Sequence, residues 1–347
     1  MEFKAAIENA NKKELPLVVQ GGHSKAFYGR KVNGTPLDIR PYTGIVSYEP
    51  TELVITARAG TTLREIEQTL ASEGQMLAFE PPHFGEEATL GGVIACGLSG
   101  PRRPFTGAVR DFVLGVRCLN GQGKVLNFGG QVMKNVAGYD LSRLMTGALG
   151  TLGVLLEVSL KVLPIPEFEK SLRTREDLHN AIRLMNEWPG QPLPLSAVCY
   201  DGEYLNIRLS GKESAVSVAM RELELEDHPN GNEYWKALRE QRLAFFNDAV
   251  PLWRLSVPSA RNTEGINGRK LIDWSGAQHW IKTSEQADVV WETARESGGS
   301  ATVFRGGDRN GPIFQPLPDG LFTLHRRLKQ AFDPKAILNP GRMYAEL

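Results

Sequence analysis

The chain is poor in cysteine, carries no surplus of either charge and has no long apolar run. Cys96, Cys118 and Cys199 are its three cysteines in 347 residues. Odd in number and far apart, they form neither a disulfide framework nor a CxxC metal pair, and a reducing cytoplasm fits them best. Forty basic residues face forty acidic ones, for a formal net charge of zero. That balance removes the electrostatic case for nucleic acid or an anionic membrane. No uncharged apolar run approaches the roughly 18 residues that a spanning helix needs. The opening Met1-Glu2-Phe3-Lys4 lacks the basic and apolar regions of an export signal.

Other absences exclude particular cofactor sites. No GxGxxG opens an apolar helix, so the phosphate fingerprint of a Rossmann dinucleotide domain is missing. Asp38 does follow the first glycine pair, but it sits inside another short strand, Pro36-Leu-Asp-Ile39. His179, His228, His279 and His325 are isolated, with no HxxxH or HxH spacing that could hold a metal. The first 187 residues contain no tryptophan; all six lie between Trp188 and Trp291. This shift in composition marks a second domain. Most of these tryptophans are expected in its core, and one or two exposed ones would mark a partner surface.

What the chain does have is glycine, 36 residues of it, and three glycine-rich runs stand out. The strand Leu15–Gln20 stops on Gly21-Gly22-His23-Ser24-Lys25, where successive amides can form a nest for phosphate oxygens. Strands at Ile45–Tyr48 and Leu53–Arg58 lead to a helix opened by Thr62 and Glu65 at capping-box spacing. Leu63, Ile66 and Leu70 mark its apolar face, Gly74 ends it, and Met76–Phe79 returns as a strand. The second run is Thr89-Leu90-Gly91-Gly92 through Ser99-Gly100-Pro101. The third lies in the stretch from Gly107 to Pro164 on which the chain is organised. There Phe112–Leu119 is a strand, Gly147 to Gly153 is a glycine-rich crossing, and Val154–Val162 alternates like a half-buried strand. Read alone, that crossing is equally a tight loop between strands. Three such loops in this order suggest three backbone approaches to one long ligand.

These runs resemble the FAD-binding domain of the family of vanillyl-alcohol oxidase and p-cresol methylhydroxylase. The matching segments are Gly21-Gly22-His23-Ser24, Thr89-Leu90-Gly91-Gly92 and Gly150-Thr151-Leu152-Gly153. Within the family the chain is similar to the flavin subunits of glycolate oxidase. It shares Lys134-Asn135-Val136-Ala137-Gly138-Tyr139-Asp140-Leu141 and the closing Phe332-Asp333-Pro334 to Asn339-Pro340-Gly341-Arg342. It departs from the larger catalytic subunit in lacking a histidine-rich metal motif with its DGN element. Ala148-Leu149 also replaces the usual Ser-Glu before Gly-Thr.

The resemblance implies an α+β fold. A two-part FAD-binding domain (1–166) would be followed by an α+β cap (167–331) and a C-terminal segment (332–347) returning to the FAD domain. It implies FAD held by Gly21, Gly22, His23, Ser24, Lys25, Thr89, Leu90, Gly91, Gly92, Ser99, Gly100, Arg103, Gly150, Gly153, Val154 and Arg342. His23 is either a polar loop residue or a covalent flavin attachment point. Glu87 precedes Thr89 where relatives bonded at two points carry cysteine. Arg102 and Arg103 suit a flavin phosphate or a substrate carboxylate, or a solvated surface. Asp140 suits a helix N-cap, and Tyr139 is a candidate to face the flavin. The implied activity is oxidation of a small 2-hydroxy acid, glycolate, beside a catalytic flavin subunit and an iron–sulfur subunit. Association with a membrane would come through those partners. No catalytic base is named by the sequence. A free-standing flavin dehydrogenase and a structural subunit with a vestigial flavin site stay open, distinguished by turnover of the isolated chain and by the presence of flavin.

Overall fold

Short β-branched runs, broken by glycine and proline turns, become the strands of a first unit. In the computed structural model, which describes residues 2–130 and 140–347, this unit comprises Met1–Leu98, Ala108–Pro164 and Asp308–Leu347. Strands β1 (Leu17–Gln20) and β2 (Thr35–Asp38) pair in parallel. Next come β3 (Ile45–Glu49), β4 (Val54–Arg58) and the two-residue β5 (Gln75–Met76). They are followed by β6 (Val113–Leu119), β7 (Val125–Gly129), β8 (Val154–Lys161) and β9 (Leu163–Pro164). The described residues form an antiparallel sheet in the order β3-β4-β8-β6-β7, and β5 pairs with β9. The return at Met76–Phe79 is thus shorter than expected: pairing stops at Met76, and Leu77, Ala78 and Phe79 enter the core outside the ladder.

Central placement explains why β8 is not half-buried. Its alternation of apolar with Glu157, Ser159 and Lys161 predicts one wet face, yet Ser159 is buried and shares a hydrogen bond of 2.8 Å with Thr56. Glu157 accepts from the Tyr42 hydroxyl and the Arg117 guanidinium. Ser159 and Glu157 are thus satisfied inside the sheet, as burial demands. The helix Leu63–Ser72 begins as the sequence indicates: the Thr62 hydroxyl accepts from the Glu65 amide, and Leu63, Ile66 and Leu70 are fully buried.

The second unit comprises Ser99–Gly107 and Ile165–Gly307. Its strands are β10 (Phe168–Arg175), β11 (Leu195–Tyr200), β12 (Tyr204–Gly211), β13 (Glu226–Asp227), β14 (Leu252–Ser256), β15 (Arg269–Asp273), β16 (Gln278–Lys282) and β17 (Ser300–Arg305). They form an antiparallel sheet ordered β13-β10-β12-β11-β15-β16-β14-β17. Its helices include Leu178–Glu187, Gly231–Arg239 and Ala287–Glu296. The second of these stops at Arg239, and Gln241 just beyond it takes φ 53°, which a helix cannot continue. All six tryptophans are buried, each 7% exposed or less, so none marks a partner surface.

These divisions differ from breaks at 166 and 331 in two places. Ser99–Gly107 groups with the second unit, where Phe105 packs on its core. The return begins at Asp308, where the Lys31 amide donates to the Arg309 carbonyl at 2.8 Å. In the helix Asp319–Phe332, Phe332 and Lys329 are buried, while Leu321 and Leu324 are exposed. This helix is therefore buried toward its C-terminal end.

Candidate cofactor-binding site

The first unit opens a cleft where β1 runs out. Two adjoining pockets share Val19, Gln20, Gly21, Thr89, Gly92, Ala95, Leu149 and Asn339 in their walls. One continues past Gly22, His23, Ser24 and Lys25 to Arg342; the other past Ile39, Ala59, Gly91, Met145, Gly150 and Gly153. The polar end is thus a glycine loop and two cations, and the other end is small and apolar.

The loop after β1 is shaped for an anion. His23 stands at φ 57° between residues of other conformation, which turns neighbouring amides toward a common point. The amides of Gly21, Gly22, His23 and Ser24 have no acceptor among the described residues. Glycine at 22 is forced by closeness: a Cβ there would stand 1.4 Å from the Glu87 carbonyl oxygen. Lys25 is buried beside this loop, and its Nζ donates to the His83 carbonyl at 3.0 Å. Its charge sits 5.8 Å from the centre of the Phe84 ring.

The second glycine run plays a different part. Thr89 caps the short helix Leu90–Cys96, its hydroxyl accepting from the Gly92 amide. The Leu90 and Gly91 amides donate to Thr61 and Ala59 carbonyls at 2.9 and 2.8 Å. These donors are spent inside the chain, so Gly91 and Gly92 contribute space.

The third run is held by the C-terminal segment. The Asn339 side chain accepts from the Val19 amide at 2.8 Å and donates to the Leu149 carbonyl at 2.7 Å. It joins β1 to the crossing loop. Gly150, at φ +72°, could carry no Cβ without approaching Asn339 Nδ2 to 2.7 Å. The Arg342 guanidinium donates to the Arg30, Ala26 and Tyr28 carbonyls at 2.9, 2.9 and 2.6 Å. Burial pulls it below its ordinary value, although an arginine stays charged in proteins. Behind this clasp the buried Lys329 donates to Asp333, Thr151 and Leu338, each at 2.8 Å. Asp333 accepts in turn from the Ile337 and Leu338 amides.

Of the residues singled out in the sequence, Gly21, Gly22, His23, Ser24, Lys25, Thr89, Gly91, Gly92, Gly150, Gly153 and Arg342 line this cleft. Leu90 and Val154 are buried in the core, 1% and 0% exposed. Ser99, Gly100 and Arg103 lie in the second unit, where the Gly100 carbonyl accepts from Trp274 Nε1 at 2.9 Å. Arg102 there is buried and pairs with Glu169 at 2.6 Å, so it is no solvated surface residue. Asp140 caps the short helix Leu141–Leu144, accepting from the Arg143 amide. Tyr139 lies outside the described residues. Sequence reasoning did not mark Asn339 as a wall of the cleft. Its signal was present in the residue type, since asparagine tolerates the left-handed backbone found here, φ 43°.

A dinucleotide fits these residues: acceptor-free amides and nearby cations suit a diphosphate, and the small-residue walls leave room for planar rings. Among the described residues no group of three or more His, Cys, Asp or Glu side chains is placed to hold a metal ion. No helix of the described residues is long and apolar enough to cross a membrane.

Comparison with known proteins agrees with this geometry. A family profile described as "FAD binding domain" matches residues 1–129, and one described as "FAD linked oxidases, C-terminal domain" matches residues 316–343. The chain is 53% identical to glycolate oxidase subunit GlcE of Escherichia coli (strain K12), over 99% of this chain and 98% of that one. It is 32% identical to D-lactate dehydrogenase of Archaeoglobus fulgidus, over 100% of this chain and 90% of the other. Among solved structures, alkyldihydroxyacetonephosphate synthase superposes with a TM-score of 0.68 at 17% identity, covering 98% of this chain and 74% of that one. That last likeness is one of fold. The chain therefore belongs to the FAD-linked oxidoreductase family that includes glycolate oxidase subunit GlcE, and FAD is its cofactor.

Proposed function

We propose that this chain is the FAD-carrying subunit of a multi-subunit enzyme that oxidises glycolate, a small 2-hydroxy acid, to glyoxylate. The cleft that gathers acceptor-free amides, Lys25 and the Asn339–Arg342 clasp carries this reading, together with near full-length similarity to a glycolate oxidase subunit. Bound FAD supplies the two-electron acceptor for a hydride equivalent from the carbinol carbon.

The chain's own residues position that cofactor. The amides of Gly21 to Ser24 hold its diphosphate, and Lys25 balances the charge. Ala59, Gly91, Ala148 and Gly150, all small, leave space for its rings. Among the residues lining the two pockets, the titratable ones are His23, Lys25, Cys96 and Arg342. None is a carboxylate. Burial raises the Cys96 thiol above its ordinary value, against the opposing charges of Lys25 and Arg342, which keeps it protonated and unable to accept a proton. We assign the remaining redox steps to partners: a second flavin subunit and an iron–sulfur subunit, the whole standing at the cytoplasmic face of a membrane.

Reconstitution with and without this chain tests the reading. Glycolate-dependent dye reduction should need all three subunits and should fall away when this one is left out. Full activity of the other two alone would contradict it.

A further inference from the structure

One face of the second unit's sheet carries polar side chains on four neighbouring strands. The register sets Ser300 of β17, Ser256 of β14, Gln278 of β16 and Asp273 of β15 in one row, since residues opposite in an antiparallel ladder share a face. Arg254, two residues before Ser256, stands on that face too. Its Nε donates to Gln278 Oε1 at 2.7 Å, and its guanidinium lies 5.1 Å from the centre of the Trp274 indole. Gln278 and Trp274 are 2% and 3% exposed, so two buried side chains fix the plane of the guanidinium.

The terminal nitrogens of Arg254 are left unused. No hydrogen-bond acceptor for them, and no carboxylate within ion-pair distance, is found among the described residues. Other arginines of this unit are committed: Arg102 and Arg208 face Glu169, and Arg269 pairs with Asp248. A second cation reinforces the first, because the Arg103 guanidinium lies 4.1 Å over the same indole. The turn beside it is unusual. Trp274 and Ser275 both take left-handed backbone, at φ 55° and 50°, and the buried Ser275 hydroxyl has no partner. A held guanidinium with a free fork matches a carboxylate bidentately.

We propose that Arg254 is the carboxylate-binding residue of this chain, its terminal nitrogens taking the two oxygens of a small 2-hydroxy acid. The substrate class rests on the function proposed above; the carboxylate subsite rests on the geometry of Arg254.

Calorimetric titration of the FAD-loaded chain tests it, using glycolate, acetate and the neutral analogue glycolamide on wild type, Arg254→Gln and Arg254→Lys. Glycolate should bind wild type, with at least tenfold weaker binding to Arg254→Gln, an intermediate value for Arg254→Lys and no binding of glycolamide. The flavin spectrum should stay unchanged in both variants. Equal binding by wild type and Arg254→Gln would overturn the proposal. So would glycolamide binding as well as glycolate, or wild type binding no carboxylate. Should Arg254→Gln not fold, Arg254→Lys and the glycolamide comparison decide alone. If acetate and glycolate bind equally through Arg254 while the assembled subunits do not oxidise glycolate, the subsite stands and the glycolate reading fails.

Discussion

At the scale of residues, closeness does most of the positioning in the cleft. Gly22 has the least freedom, because its missing Cβ would overlap the Glu87 carbonyl. Gly22→Ala should therefore displace the loop and release FAD, read as lost flavin absorbance after gel filtration. Gly190→Ala is the control, since nothing lies within 4 Å of the added carbon, and it should keep its flavin. The Lys329–Asp333 pair makes a different case. Both partners are buried, and removing one leaves the other charge uncompensated, at a cost of about 3–5 kcal/mol. Asp333→Ala should lower the denaturation midpoint accordingly, whereas a loss within a few tenths of a kcal/mol would show that the pair does not anchor the return.

At the scale of elements, titration of the second unit gives a sign that can be checked. His279 is buried, with Thr263 Oγ1 2.9 Å from Nδ1 and the Gly276 carbonyl 3.0 Å from Nε2. Burial lowers it from 6.5 to about 4. A depressed folded value means that stability is fully present above pH 6.5 and is lost as pH falls through about 4. The loss is about 3 kcal/mol. Glu169 adds to it in the same direction. Burial alone would raise that carboxyl, but Arg208, the Ser210 hydroxyl and Arg102 outweigh burial and hold it below its ordinary value. Its contribution is lost below about pH 4.5, its unfolded value. Denaturation midpoints between pH 7 and 4 should slope downward, and His279→Gln should flatten the upper part of that slope.

Elements with local signals were legible in the sequence. Thr62 with Glu65 opens its helix, and Gly21-Gly22 ends β1 where sequence rules place the break. What was not legible depends on distant partners. The alternation of β8 looks half-buried until Thr56 and Tyr42 are seen to satisfy its polar side. Arg103 follows a glycine-rich run that lines the cleft, yet it belongs with Trp274, 171 positions on, because the chain changes unit at Ser99. No periodicity carries that information.

At the scale of the whole molecule, all six tryptophans lie in the second unit and the cofactor cleft in the first. Tryptophan fluorescence and flavin retention therefore report different units of one chain. Truncation after Ile337 removes Asn339 and Arg342, and with them the ties to Val19, Leu149 and Ala26 to Arg30. Such a chain should lose FAD and keep the tryptophan emission of the intact protein; loss of both together would show that the units do not report separately. The central claim is that the cleft of the first unit holds FAD. The visible absorbance spectrum of the purified chain, after incubation with FAD and desalting, tests it most directly. An equimolar flavin spectrum is expected for the wild type and none for Gly22→Ala, and a colourless wild type would contradict the account.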